Sequence, residues 1–200
     1  MEATVDWEIR EQSDEQLVMS TRDGLESLQW MANYELERLV RVHDDGVESR
    51  TTLTLRCGRF GQHSIVWFAH PFLRQTAIGA TALTATGTEL VAGSGKSMWR
   101  MDSATGSLAR SDDGRWRFGE GFSRSVLGGM WGSTADLLVD LDPALGGGLV
   151  AIAVDRPLDH VVVWGAPHVF SPEPKLCRLW TDGETASWSI RYRFAPAAGG

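Results

Sequence analysis

The sequence predicts an all-β protein, an antiparallel β-sandwich, and three observations carry that expectation. Apolar and polar residues alternate with period two along nearly the whole chain, turn residues divide the alternating runs, and helical periodicity is nearly absent. About a dozen strands in 200 residues must curl into a barrel or stack into two layers, because a wide antiparallel sheet has an apolar face to cover. With 42% hydrophobic residues and nine tryptophans there is enough apolar surface for one sizeable core. The expected organisation is a single domain over residues 1–194, followed by a flexible tail at 195–200.

At the N-terminus, Val5, Trp7 and Ile9 alternate with Asp6, Glu8 and Arg10, and residues 17–21 form a second strand after a polar break, so the two read as a hairpin. The clearest local signal follows. Residues 34–43 alternate Leu36, Leu39/Val40 and Val42 with charged positions, reach Asp44-Asp45-Gly46, and resume as residues 47–57, with Asp-Gly expected to supply the positive φ of a tight hairpin. Further strands are expected at 64–68, 89–92, 116–119, 135–142, 149–155, 160–165, 168–171, 176–181 and 186–194. Turn clusters at 93–96, Asp112-Asp113-Gly114, 146–148 and Asp182-Gly183 separate them. Residues 73–85, rich in Ala and Thr, read either as a strand pair or as a short helix.

Composition narrows the function. The net charge of −7 and pI near 5.2 argue against a nucleic-acid surface, which needs concentrated Lys and Arg. No apolar run approaches the ~18 residues of a membrane span. Glu2, Asp6 and Glu8 leave no basic-then-apolar leader, so a cytoplasmic protein is expected. Cys57 and Cys177 lack metal-ligand spacing and read as two reduced, buried thiols, although sequence alone leaves a disulfide open. Residues 93–97, Gly-Ser-Gly-Lys-Ser, lack the spacing of a phosphate loop.

Two segments carry chemistry. In Trp67-Phe68-Ala69-His70-Pro71-Phe72, the proline removes a ladder donor and biases His70 to an extended conformation where a strand stops pairing. By itself such a histidine reads rather as one tied to a carbonyl at a sheet edge. In Ser171-Pro172-Glu173-Pro174, a carboxylate between two prolines is held stiffly among apolar neighbours, and burial raises a glutamate above its reference of about 4.3, towards a general base. The alternative is a loop carboxylate satisfied by backbone amides.

Together, His70-Pro71-Phe72 after a long hairpin, Ser-Pro-Glu-Pro at 171–174, Asp182-Gly183-Glu184 and the last strand Trp188-Ser189-Ile190-Arg191-Tyr192-Arg193-Phe194 resemble the galactose mutarotase-like (aldose 1-epimerase) superfamily. Order and spacing agree over residues 34–73 and 160–194. The earlier histidine motif of that family has no match in residues 1–33, so the resemblance implies an N-terminally shortened relative with the galactose mutarotase-like supersandwich. It implies an isomerase acting on a sugar or similar oxygenated ring, with His70 donating a proton to the ring oxygen and Glu173 removing one from the anomeric hydroxyl. A positioned acid and base each contribute about 10²–10⁴-fold. It also implies Asp136 as a sugar-binding carboxylate, and neither metal nor organic cofactor.

Sugars stack their C–H faces on indole rings, so Trp67, Trp131 and Trp164 are candidate platforms, with core packing as the alternative for each. His168, five residues before Glu173, is a further candidate for binding substrate. His160, after Asp159, reads as structural, and His43 as solvated at a hairpin tip. Two other functions stay open: a non-catalytic protein binding carbohydrate or a partner, and a repurposed cyclase or lyase acting on a non-sugar metabolite, since fold does not fix reaction. Uncovered sheet edges would suit a homodimer.

Overall fold

The structure is a computed structural model that describes residues 7–23, 33–56, 61–87, 90–92, 108–119, 124–128 and 136–196. Trp131, Cys57, the 93–97 segment and the 93–96 turn lie outside them. The described residues form sixteen strands and one 3-10 turn, with no α-helix. Their pairings are antiparallel, as period-two alternation requires.

The chain divides into two compact units, Met1–Val66 with Cys177–Arg191, and Trp67–Leu176 with Tyr192–Gly200. In the first, β1 (Glu8–Gln12), β2 (Gln16–Asp23), β3 (Asn33–His43), β4 (Gly46–Arg56) and β16 (Thr185–Ala195) lie side by side in that order. The β3–β4 hairpin forms where its alternation and turn predict, with Leu36 opposite Leu53 and Tyr34 opposite Leu55. Its turn differs in one respect. Gly46 is not at positive φ; it opens β4 opposite His43, leaving Asp44 and Asp45 as the loop. Gly183 does take φ 76° in its Asp-Gly turn, and its N–H donates to the carbonyl of Leu55. Strand β1 is exposed at every position, so the alternation around Trp7 and Ile9 marks an edge strand and not a half-buried one.

In the second unit, β13 (Leu149–Val154), β12 (Leu137–Asp140), β7 (Ala82–Ala85), β10 (Trp116–Phe118) and β9 (Leu108–Arg110) form one run of neighbours. The other sheet runs β5 (Gln62–Phe68), β15 (Val169–Thr181), β14 (His160–Ala166), β11 (Arg124–Gly128) and β8 (Val91–Ala92), with β6 (Leu73–Arg74) also paired to β15. Register places Leu137, Val139, Val150, Ile152 and Leu83 on one side of the first run, all buried. In the other sheet Val161, Val162, Val163 and Phe170 have no exposure at all. Burying four such side chains contributes roughly 1.5–3 kcal/mol each.

Residues 73–85 contain no helix: β6 and β7 are two short strands in different sheets, joined by turns. Asp142 holds that connection. Its carboxylate accepts the Thr76 N–H at 2.5 Å and the Thr76 hydroxyl at 2.6 Å, and caps the Pro143–Leu145 turn through the Ala144 N–H. Those donors, the Thr76 hydroxyl first, hold its carboxyl below the usual range. Cys177 is exposed on β15, contrary to the buried thiol expected, because β15 has left the covered part of its sheet by that position.

Candidate active site

Strand β15 is thirteen residues long and absorbs both strands expected at 168–171 and 176–181, so Ser-Pro-Glu-Pro is mid-strand and not a loop. Phe170, Ser171, Pro172, Glu173 and Pro174 are all buried. In register Glu173 lies opposite Val162, Ser171 opposite Trp164, and Lys175 opposite His160. Directly opposed residues share a face, so these six side chains lie on one side of the sheet, while Phe170, Pro172 and Pro174 project from the other.

A proline is tolerated in a strand where its missing N–H is not needed by a neighbour. Here the Ala69 N–H donates to the Pro174 carbonyl at 3.4 Å, which shows that the 69–72 segment runs along the edge towards which Pro172 and Pro174 would have donated. With two donors absent on β15 and a third absent at Pro71, that segment follows the strand without joining the ladder; pairing resumes at β6, with Leu73 opposite Phe170. His70 is thereby carried beside Glu173.

The contact is direct. His70 Nδ1 stands 2.5 Å from Glu173 Oε1, with the carboxylate side chain 5% exposed and the imidazole 40% exposed. Three aromatic rings surround the imidazole: Phe72 edge-on at 4.4 Å between centroids, Phe68 at 6.1 Å and Trp164 at 6.3 Å. Phe72 also meets Trp164 at 6.0 Å. Phe68 and Phe72 are exposed, and the Lys175 ammonium sits 4.5 Å from the Phe68 centroid, close enough for a cation–π contact. A buried ionised carboxylate is costly unless paired, and the imidazole supplies a partner whose other nitrogen can still exchange protons.

The expected binding residues scatter. Trp164 joins the histidine. Trp67 precedes Phe68 in β5, and since successive strand residues face opposite sides, Phe68 is the ring turned to His70. His168 is exposed in the turn between β14 and β15, roughly 16 Å along the strand from Glu173 at the usual rise. Asp136 lies just before β12, a strand of the other sheet, its carboxylate 2.8 Å from Arg193. Phe68 and Phe72 carry no residue-type signal for a site, but both stand two residues from His70 in an extended segment, where i and i±2 share a face.

His160 is 5% exposed and its Nδ1 has no hydrogen-bond partner. Burial, then the Lys175 charge, holds it below the usual imidazole range, against a smaller opposing pull from Asp159. Ser171, fully buried, likewise has an unpartnered hydroxyl. Among the described residues no group of three or more His, Cys, Asp or Glu side chains is placed to hold a metal ion, and no helix is long and apolar enough to cross a membrane.

No protein-family profile matches the chain, and no curated protein does. Solved structures do. A galactose mutarotase-like protein from Lactobacillus casei superposes with a TM-score of 0.70 at 14% identity, covering 94% of this chain and 73% of that one. The chain carries the galactose mutarotase-like fold. A galactose mutarotase related enzyme from Lactobacillus acidophilus gives 0.67 at 9% identity, covering 97% and 72%. The GalM/aldose epimerase homologue from C. elegans gives 0.61 at 12%, covering 95% and 68%. At these identities the likeness rests on shape, and the galactose mutarotase-like fold leaves the chemistry to the site.

Proposed function

We propose that this chain is an aldose 1-epimerase-like isomerase, moving a proton between two oxygens of a sugar or similar oxygenated ring with His70 and Glu173 as the proton-handling pair. The observation that supports the reading is the 2.5 Å contact between a buried carboxylate and a half-exposed imidazole, on the fold of proteins described as galactose mutarotase related. Opening a cyclic hemiacetal removes a proton from the anomeric hydroxyl and delivers one to the ring oxygen. Both transfers need a group placed to give and to take a proton, and an imidazole can do either. Phe68, Phe72 and Trp164 offer apolar faces on which a sugar's C–H surface stacks.

Polarimetry on freshly dissolved α-D-glucose and α-D-galactose tests this. The protein is expected to accelerate mutarotation above the spontaneous rate, and His70→Ala is expected to remove about 10²-fold or more of the acceleration. No acceleration with any aldose tried, or full activity in His70→Ala, overturns the reading. The exposed Phe68 and Phe72 rings favour one other function, carbohydrate binding without turnover. Quenching of tryptophan fluorescence by those sugars without rate enhancement would assign it.

A further inference from the structure

We propose that the ligand of this site is an acidic sugar, a hexuronic acid whose carboxylate is met by the ammonium of Lys175. The inference rests on the proposed isomerase reading, in which His70 and Glu173 serve the ring oxygen and the anomeric hydroxyl, and it names the class of sugar which that reading leaves open.

Three observations place a positive charge at the site. Lys175 stands two residues beyond Glu173 in β15, so both side chains leave the same face of the sheet. Its ammonium is 4.5 Å from the centroid of Phe68, and that ring is in turn 6.1 Å from the imidazole of His70. A single phenyl ring therefore separates the charge from the proton-handling pair. Lys175 is half-buried, and its charge is felt along the same face: after burial, it is the main influence holding His160, directly opposite, below the usual imidazole range. A cation–π contact orients an ammonium without occupying all three of its donors, and an ammonium so held can still donate to a carboxylate.

The chemistry of ring opening says which sugar carries its charge there. The ring oxygen must come to His70 to receive a proton. In a hexuronic acid the carboxylate is borne by the ring carbon bonded to that oxygen on the side away from the anomeric carbon, so the anion enters beside the imidazole. A neutral aldose has a hydroxymethyl group at the same place and gains nothing from an ammonium. The acid gains twice. Lys175 offsets the like charge of Glu173, which at 5% exposure is poorly screened by water, and it supplies a charge-assisted hydrogen bond. A 6-phosphate holds its charge two bonds further out, and so matches less well a cation that stands one phenyl ring from His70.

Methyl α-D-galactopyranosiduronic acid and methyl α-D-galactopyranoside have a blocked anomeric centre and differ only at the carboxylate, so calorimetric titration of each into the intact protein reads the preference without turnover. The uronide is expected to bind about tenfold more tightly at low salt, with the advantage narrowing at high salt. Lys175→Met keeps the apolar stem and removes the charge; it is expected to bring the two Kd values within about twofold, with Lys175→Gln as the second variant if the first does not fold, whereas Lys175→Arg is expected to retain the preference. Equal affinities in the unmodified protein, binding of neither glycoside, a preference kept without the charge, or tighter binding of D-galactose 6-phosphate than of the uronide each overturn the inference. Polarimetry on D-galactose and D-galacturonic acid separates this failure from that of the isomerase reading. Accelerated mutarotation with equal glycoside affinities removes the acidic ligand and leaves the isomerase; preferential uronide binding with neither sugar accelerated removes the isomerase and leaves the acidic ligand.

Discussion

The β3–β4 hairpin and the β14–β15 pair are both long antiparallel ladders, and they use their charged residues in opposite ways. On the hairpin the ions are at the surface. His43 Nε2 lies 3.5 Å from Glu48, with both side chains about one-third exposed, and Asp45 at the turn meets Arg191 of β16. Water screens such pairs, and they contribute little. On β15 a carboxylate is sealed into the sheet and meets an imidazole at 2.5 Å. Its desolvation works against folding unless the partner is held in place. A ladder therefore tolerates charge for two distinct reasons: at the rim because it costs nothing, and in the interior because something else requires it there.

The largest effect is expected from the packing behind the site. Phe170 is fully buried on the face opposite Glu173, in register with Gly165 and Leu73. Phe170→Ala is expected to cost about 3–5 kcal/mol in urea unfolding; a cost below 1 kcal/mol would mean that the reverse face is not packed as described.

A smaller and pH-dependent effect is expected at His160. Its folded pKa is depressed from 6.5 by burial and by Lys175, so the neutral form is favoured by folding. Its contribution is present above pH 6.5 and is lost as pH falls from there through the depressed value. The stability difference between the parent and His160→Gln should therefore shrink between pH 7.5 and 5.5; a difference that grows on acidification contradicts it.

The smallest effect belongs to the hairpin. His43→Gln is expected to change stability by no more than about 0.5 kcal/mol at moderate salt. A larger loss would show that the rim pair resembles the buried one after all.

These regions also differ in what the chain discloses. Residues 34–56 alternate, turn at Asp44-Asp45-Gly46 and alternate again, so strand, partner and register follow from local pattern. Even there Gly46 does not take the positive φ its type suggests. Around Glu173 the pattern fails, because a strand buried on both faces has no alternation to display and two prolines read as a break. Residue type singles out Trp67, because indoles bind sugars, whereas the parity of a strand, counted from His70, selects Phe68.

By itself the sequence determined the strand-rich class, the turns, most strand positions and the two segments that carry His70 and Glu173, since these depend on residue types and spacings along the chain. It could not place the segments against one another. That came from the tertiary structure, where prolines on facing edges leave a gap in the ladder through which His70 reaches Glu173. The distance between two side chains some hundred residues apart depends on how strands pair, and local periodicity does not encode pairing. The same folding decided which of the two groups would be covered and which would face water.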